Sequence, residues 1–172
     1  VLLSREGRLR RQRSLETVEK ARLREGDELI AVIQGSTTSN AAVFTNRGMA
    51  YVFPLHQAPA TTGYGDPIQK FFNYAAGERV VGVVSHDPRN QPPEPEGPNK
   101  TRYGIAVTHG GRGLRFPLTP HSEISTKSGR RYIRLEKGDA VVAAYTCSAE
   151  EHVSLATEGG NMLTYPAEDM KA

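Results

Sequence analysis

The sequence predicts an all-β protein assembled from repeated four-stranded units, and three observations lead there. The segment TNRGMAYVFPL at 45–55 returns 63 positions later as THGGRGLRFPL at 108–118, sharing Thr45/Thr108, Gly48/Gly111, Phe53/Phe116, Pro54/Pro117 and Leu55/Leu118 without a gap. A second motif, glycine and an acid ahead of an apolar run, occurs as Gly26-Asp27, Gly77-Glu78 and Gly138-Asp139, at spacings of 51 and 61 residues. The composition, with 17 Gly, 11 Pro and 37% hydrophobic residues, suits a turn-rich sheet protein better than a helical bundle. Units that recur in this way cannot bury their faces alone and must stack or close radially.

The first unit, about 1–40, opens with VLLS, turns at Glu6-Gly7 and runs out through Arg8, Leu9, Arg10, Arg11, Gln12 and Arg13. It is a weak copy of the hairpin motif, keeping Ser4 and Gly7. Residues 14–24 could form a short helical turn or an extended linker, of which a loop is the favoured reading, after which Leu29 to Ile33 reads as an apolar strand. The second unit, about 41–86, begins with a full hairpin: a short apolar strand, a polar turn with glycine where φ must be positive, and a strand with large side chains. Its loop ATTGYGDPIQKFF leads to a short predicted strand from Ile68 to Phe72, then to the glycine-acid turn and a long apolar strand. Residues 87–100, DPRNQPPEPEGPNK, hold five prolines and read as an exposed loop, because proline cannot donate to a ladder. The third unit, about 101–148, repeats the second, with ISTKSGRRYIRL ahead of a predicted strand from Tyr132 to Leu135 and Cys147 as a small buried strand residue. The fourth, about 149–172, keeps Thr157, Gly160 and Pro166, puts Tyr165 where the others have phenylalanine, and includes only the hairpin. Phe53, Phe116 and Tyr165 recur where core residues belong.

The net charge of +3 is unevenly spread. Residues 1–24 carry +5 and 101–139 carry +5, while 25–40 carry −3, 41–100 balance and 140–172 carry −4. Two basic stretches in a neutral or acidic chain point to a polyanion, since clustered Lys and Arg neutralise phosphates and release counterions. One cysteine excludes an internal disulfide and fits a reducing compartment. No apolar run approaches the ~18 residues of a membrane span, so a soluble, cytoplasmic protein is expected. The five histidines, His56, His86, His109, His121 and His152, show no zinc-ligand spacing and read as surface or turn residues, so no metal site is expected. GGRG at 110–113 lacks the Lys-Ser/Thr of a phosphate loop, no serine sits in a nucleophile elbow, and adjacent acids such as Glu150-Glu151 would point to opposite faces of a strand. No catalytic residue is assigned.

With both motifs in view, FTNRGMAYVFPL, GYGDPI and GERVVGVV in the second unit, and VTHGGRGLRFPL, SGRRYIRL and GDAVVAAY in the third, the chain resembles the C-terminal domain of the A subunit of bacterial type IIA topoisomerases, DNA gyrase and topoisomerase IV. The resemblance covers essentially the whole chain. It implies a β-pinwheel of four-stranded blades, with a hairpin from one blade inserted next to its neighbour and about three and a half blades present, and with a basic outer rim around which double-stranded DNA bends. It also implies a chromosome-associated enzyme in which the cleavage tyrosine, the ATP and Mg chemistry and the B subunit belong to other parts, so this domain needs no cofactor. The gyrase element QRRGGRG has no counterpart: the corresponding stretch, RRQRSLETVEKARLREGDE, is basic without its glycines, which puts the chain nearer topoisomerase IV. The candidate phosphate contacts are Arg8, Arg10, Arg11 and Arg13 in the first unit, Arg47 and Lys70 in the second, and Arg112, Arg115, Arg130, Arg131 and Arg134 in the third. Arginine suits this role because its planar fork gives two hydrogen bonds to one phosphate. The competing expectation is a propeller that binds protein.

Overall fold

The computed structural model describes residues 1–14, 20–91, 101–148 and 150–171. Residues 15–19, inside the stretch read as a loop, and 92–100, most of the proline-rich segment, lie outside the described residues. Thirteen strands are described: β1 (Leu2–Ser4), β2 (Arg8–Arg10), β3 (Leu29–Val32), β4 (Asn40–Thr45), β5 (Met49–Pro54), β6 (Asp66–Pro67), β7 (Val80–Ser85), β8 (Tyr103–Thr108), β9 (Gly113–Pro117), β10 (Arg130–Arg131), β11 (Val141–Thr146), β12 (His152–Ala156) and β13 (Met162–Pro166). Only short 3-10 turns interrupt them.

All four predicted hairpins form, and the Ser/Thr-x-x-Gly motif has a local cause. The glycine N–H bonds the carbonyl three residues back, in Ser4–Gly7, Thr45–Gly48, Thr108–Gly111 and Thr157–Gly160 alike, at 2.9 to 3.0 Å. Each of these glycines has φ between 75° and 79°, which a side chain would strain. The hydroxyl of the first residue then accepts the N–H four positions on: Arg8 to Ser4 Oγ, Met49 to Thr45 Oγ1, Arg112 to Thr108 Oγ1 and Asn161 to Thr157 Oγ1. Beside it the ladder to the apolar strand shifts register in three units, at Leu3/Ser4, Phe44/Thr45 and Val141/Ala143. Such bulges twist the strand and end its pairing.

The glycine-acid turn explains the second motif. Its acid reaches back to the hairpin turn of its own unit: Asp27 Oδ1 accepts Glu6 N, and Asp139 Oδ1 accepts Gly110 N, both at 3.0 Å. In the second unit Glu78 instead turns inward and accepts Thr45 Oγ1 at 2.7 Å, Tyr51 Oη at 3.1 Å and Ala75 N at 2.8 Å, while Asn46 ties the two turns through Gly77 O and Arg79 N. Hairpin and apolar strand are thereby locked in register.

The sheets run β3-β1-β2-β6, β10-β5-β4-β7, β11-β8-β9 and β12-β13. The fourth strand of each of the first two sheets comes from the following unit: β6, in the second sequence unit, pairs with β2, and β10, in the third, pairs with β5. Alternation along the central strands then builds the core between blades. Ala41, Val43, Tyr51 and Phe53 face a cluster with Leu3, Leu9 and Ile68 of the first blade. Ala42, Phe44, Ala50 and Val52 face the other way, onto Phe116, Tyr132, Ile133 and Val141. Being buried on both faces, β4 and β5 read as continuous apolar runs. A third cluster, Ile105 with Val153, Ala167 and Met170, joins the last two hairpins, with Tyr165 against it.

Strands β3, β7 and β11 each form one edge of their sheet and come together at the centre, lining a common space through Ile30, Val80–Val83 and Val142. Gly82 of β7 lies so close to the carbonyl of Ala144 in β11 that a Cβ there would overlap it. Strands β6 and β10 form the opposite, outer edges.

Four sequence expectations are corrected. The short strands lie two residues earlier than predicted, at Asp66–Pro67 and Arg130–Arg131. At Ile68 and Tyr132 the chain already turns inward, each N–H bonding a hairpin glycine carbonyl, Gly7 O at 2.8 Å and Gly48 O at 2.9 Å. Both side chains plug the core, and Ile68–Lys70 is a 3-10 turn. Cys147 sits just past the end of β11 and is half-buried. His121 is buried, edge-on to Phe44 and Phe116 at ring distances of 5.9 and 6.0 Å, and His86 is partly buried. Asp87, at the head of the proline-rich segment, is buried and accepts Ser36 N at 2.5 Å and Arg89 Nη2 at 2.7 Å. Arg89 and the N–H groups of Ser36 and Arg89 hold its carboxyl below the usual range.

Candidate nucleic-acid interface

The outer edges are made by two loops of matching geometry, 61–67 and 125–131. Gly65 (φ 78°) and Gly129 (φ 70°) occupy equivalent places, where any Cβ would meet Leu9 O at 2.5 Å and Ala50 O at 2.8 Å. Glycine therefore lets each loop press its outer strand onto β2 or β5. Between the blades only the side chains at the rim change. The first blade presents Asp66-Pro67 and the second Arg130-Arg131, paired with Ala50 and Met49.

On the second blade Arg131 and Arg134 are exposed, Arg130 is half-buried, and Lys127 projects from the loop just before. None of these four has an acidic partner among the described residues. On the first blade Lys70 is neutralised by Asp66 at 2.7 Å. Arg8 half-buries and donates to Gly65 O at 3.3 Å, and Arg11 donates to Ala58 O at 2.9 Å. Arg13 is exposed.

Arg10 stands apart. It is 2% exposed, and its guanidinium points inward to the carbonyls of Gly63, at 2.6 Å, and Arg22, leaving Nε and Nη2 without partners. Burial lowers its pKa from the ordinary arginine value. The side chain pins the rim loop from beneath instead of meeting solvent. Arg10 shares its face of β2 with Arg8, opposite Leu9, and is buried because the rim loop at Gly63 and Gly65 closes over it, which the letters of the segment do not show.

Away from the outer strands, Arg47 lies exposed on its hairpin turn and donates to Ala76 O at 2.6 Å. Arg112 pairs with Glu136 at 2.7 Å. Arg115 is committed to Met170 O at 3.0 Å and stacks over Tyr103 at 5.0 Å. The outer strands thus gather Arg130 and Arg131, with Lys127 and Arg134 close in sequence, whereas Arg47, Arg112 and Arg115 belong to turns and inner strands.

One rim feature was not legible in the sequence. Arg22 and Arg24 stack over the exposed ring of Tyr64 at 5.1 and 5.8 Å, at the tip of the first outer loop. They come from a stretch without hydrophobic period, and only the matching of Gly65 to Gly129 marks Tyr64 as a loop tip. Among the described residues no group of three or more His, Cys, Asp or Glu is placed to hold a metal ion, and no helix is long and apolar enough to cross a membrane.

A radial all-β repeat with exchanged outer strands and a locally basic rim is a β-pinwheel. The family model described as the DNA gyrase C-terminal domain, beta-propeller, matches residues 40–87 and 105–148, more than half of the chain, and the chain belongs to that family. Among curated proteins it is 28% identical to the DNA gyrase A subunit of Aminobacterium colombiense over 95% of its own length, and 25% identical to that of Rickettsia conorii over 87%. It spans 20% and 16% of the length of these relatives. Among solved structures, the C-terminal domain of DNA topoisomerase IV superposes with a TM-score of 0.79 at 19% identity, covering 96% of this chain and 50% of that one. The E. coli ParC C-terminal domain gives 0.76 at 17% identity, covering 99% and 65%, and the DNA gyrase A C-terminal domain gives 0.59 at 18%, covering 98% and 54%. The predicted β-pinwheel is the observed fold.

Proposed function

We propose that this domain binds and bends double-stranded DNA along its outer rim, as the C-terminal module of a type IIA topoisomerase A subunit. The supporting observation is the outer strand of the second blade, where Arg130 and Arg131, flanked by Lys127 and Arg134, have no acidic partner among the described residues. The same strand of the first blade carries an acid that neutralises its lysine. Guanidinium groups without acidic partners on an outer edge can meet phosphates along a bent duplex without reading bases, so affinity comes from counterion release and from the ease of bending the duplex. On this reading the rest of the enzyme, with its B subunit, supplies cleavage and ATP hydrolysis at the bacterial chromosome. This chain adds geometry and no chemistry of its own.

The test is the salt dependence of binding to a short duplex. Changing Lys127, Arg130, Arg131 and Arg134 together to Gln removes up to four phosphate contacts, which should flatten the slope of log affinity against log salt by up to about 3.6. The loss should be nearly equal on unrelated sequences, and end-to-end fluorescence transfer across the duplex should report less bending. A wild-type slope in the quadruple variant, or a loss confined to one DNA sequence, would refute the reading.

A further inference from the structure

The three axial strands end around a cavity of about 720 Å³, far from the outer edges that β6 and β10 occupy. Its walls are apolar where Val32, Val83 and Leu118 face it, and no acid lines it among the described residues. Val32 is 46% exposed, a large exposure for an apolar residue in a paired strand. At one side stand Arg102 and His86. The Arg102 Nε and His86 Nε2 atoms are both buried without a hydrogen-bond partner. Both residues are fixed by backbone: Arg102 O accepts Leu118 N at 2.8 Å, and His86 N donates to Asn40 O at 2.9 Å.

The Arg102 Nε and His86 Nε2 atoms do not themselves open onto the cavity; what faces it is the rest of the half-buried Arg102 side chain, a cation on a wall without acids among the described residues. The cavity is many times the ~30 Å³ share of one water and falls within the ~300–1,000 Å³ of small-molecule sites. Its lining is mixed: Ser85, Thr119, Ser122 and Thr146 stand beside the apolar residues. We propose that this axial cavity binds a small organic anion, with the anionic group on Arg102 beside His86 and an apolar body against Val32, Val83 and Leu118. The site is independent of the rim.

The probe is 8-anilinonaphthalene-1-sulfonate, an aromatic body with an anionic head, with N-phenyl-1-naphthylamine as its neutral analogue. Fluorescence titration should give one saturable site, and nuclear Overhauser contacts should run from the probe to Val83 and Leu118. Arg102→Gln should weaken the sulfonate by about tenfold or more, the loss of one charge-assisted hydrogen bond. Arg102→Lys should restore most of that binding, and the neutral analogue should respond to neither change. Val32→Phe, which keeps Arg102 and crowds the apolar wall, should weaken both probes. Saturating duplex DNA should leave the sulfonate bound. The proposal is overturned if Arg102→Gln binds the sulfonate as the parent does, if the probe contacts only the exposed Met162 and Leu163 of β13, or if DNA displaces it.

Discussion

Gly82→Ala tests the closeness of the axial strands. Gly82 does not have positive φ, so alanine is conformationally allowed there and would by itself stabilise by about 0.4–1 kcal/mol through the unfolded chain. Its Cβ, however, would overlap the Ala144 carbonyl, and backbone cannot swing aside as a flexible side chain can. Overpacking costs about 1–3 kcal/mol, with this site at the upper end because β7 and β11 must separate along their length. The expected net loss is about 2 kcal/mol. With a urea m-value of about 2 kcal/mol/M, the unfolding midpoint should fall by about 1 M. Gly159→Ala is the matched control: it too lacks positive φ, and its nearest neighbours are 3.8 and 3.9 Å away, so it should be neutral or slightly stabilising. A Gly82→Ala midpoint equal to the parent's, or equal losses at the two positions, would refute the claim that the blades meet backbone to backbone at the axis.

Acid should weaken the fold in a window set by His121. Burial first, then the charges of Arg130 and His86, bring its pKa down to about 4. Since the unfolded value near 6.5 is higher, the unfolded chain takes up the proton first; stability is full above about pH 6.5 and declines toward pH 4, by up to about 3 kcal/mol. Chemical denaturation at pH 7.5 and 4.5 should show that decline, and His121→Phe should remove most of it; an undiminished decline in the variant would assign it elsewhere. Arg10→Gln should destabilise by about 1–3 kcal/mol in denaturant melts, by removing the tie between the rim loop and β2, yet leave the salt slope of DNA binding unchanged. A flattened slope would place Arg10 among the phosphate contacts after all.

The hairpins were legible because their requirements are written in single letters: a hydroxyl to accept the N–H four residues on, and a glycine for positive φ. The inter-blade core was legible in Phe53 and Phe116 for the same reason, since position in the motif decides burial. The ownership of the fourth strand came only through the family resemblance. A two-residue strand such as Asp66–Pro67 has no alternation to read, and nothing in its letters says that its partner is Leu9 of the preceding unit rather than a neighbour in its own. The same blindness affected the rim. Arg10 and Arg130 look alike in sequence, but one lies inside β2 and the other on an outer edge, and only the pairing separates them. His121 does sit in a turn, as a histidine among Thr, Pro and Ser suggests, but its burial was not legible, because that turn is packed between blades.

The exchange of outer strands separates what a repeat stabilises from what it displays. The third repeat folds its hairpin into the third blade but lends Arg130 and Arg131 to the edge of the second. A duplication of one repeat would therefore copy a core into one place and a charged edge into the place before it, and selection on the surface of one blade acts on the gene segment of the next. The second blade spans 40–131, from β4 to β10, and encloses β6 of the first, so no contiguous segment holds that blade and nothing else. A chimaera cut at an outer strand or at the start of a hairpin would alike graft a core of one origin under an edge of another.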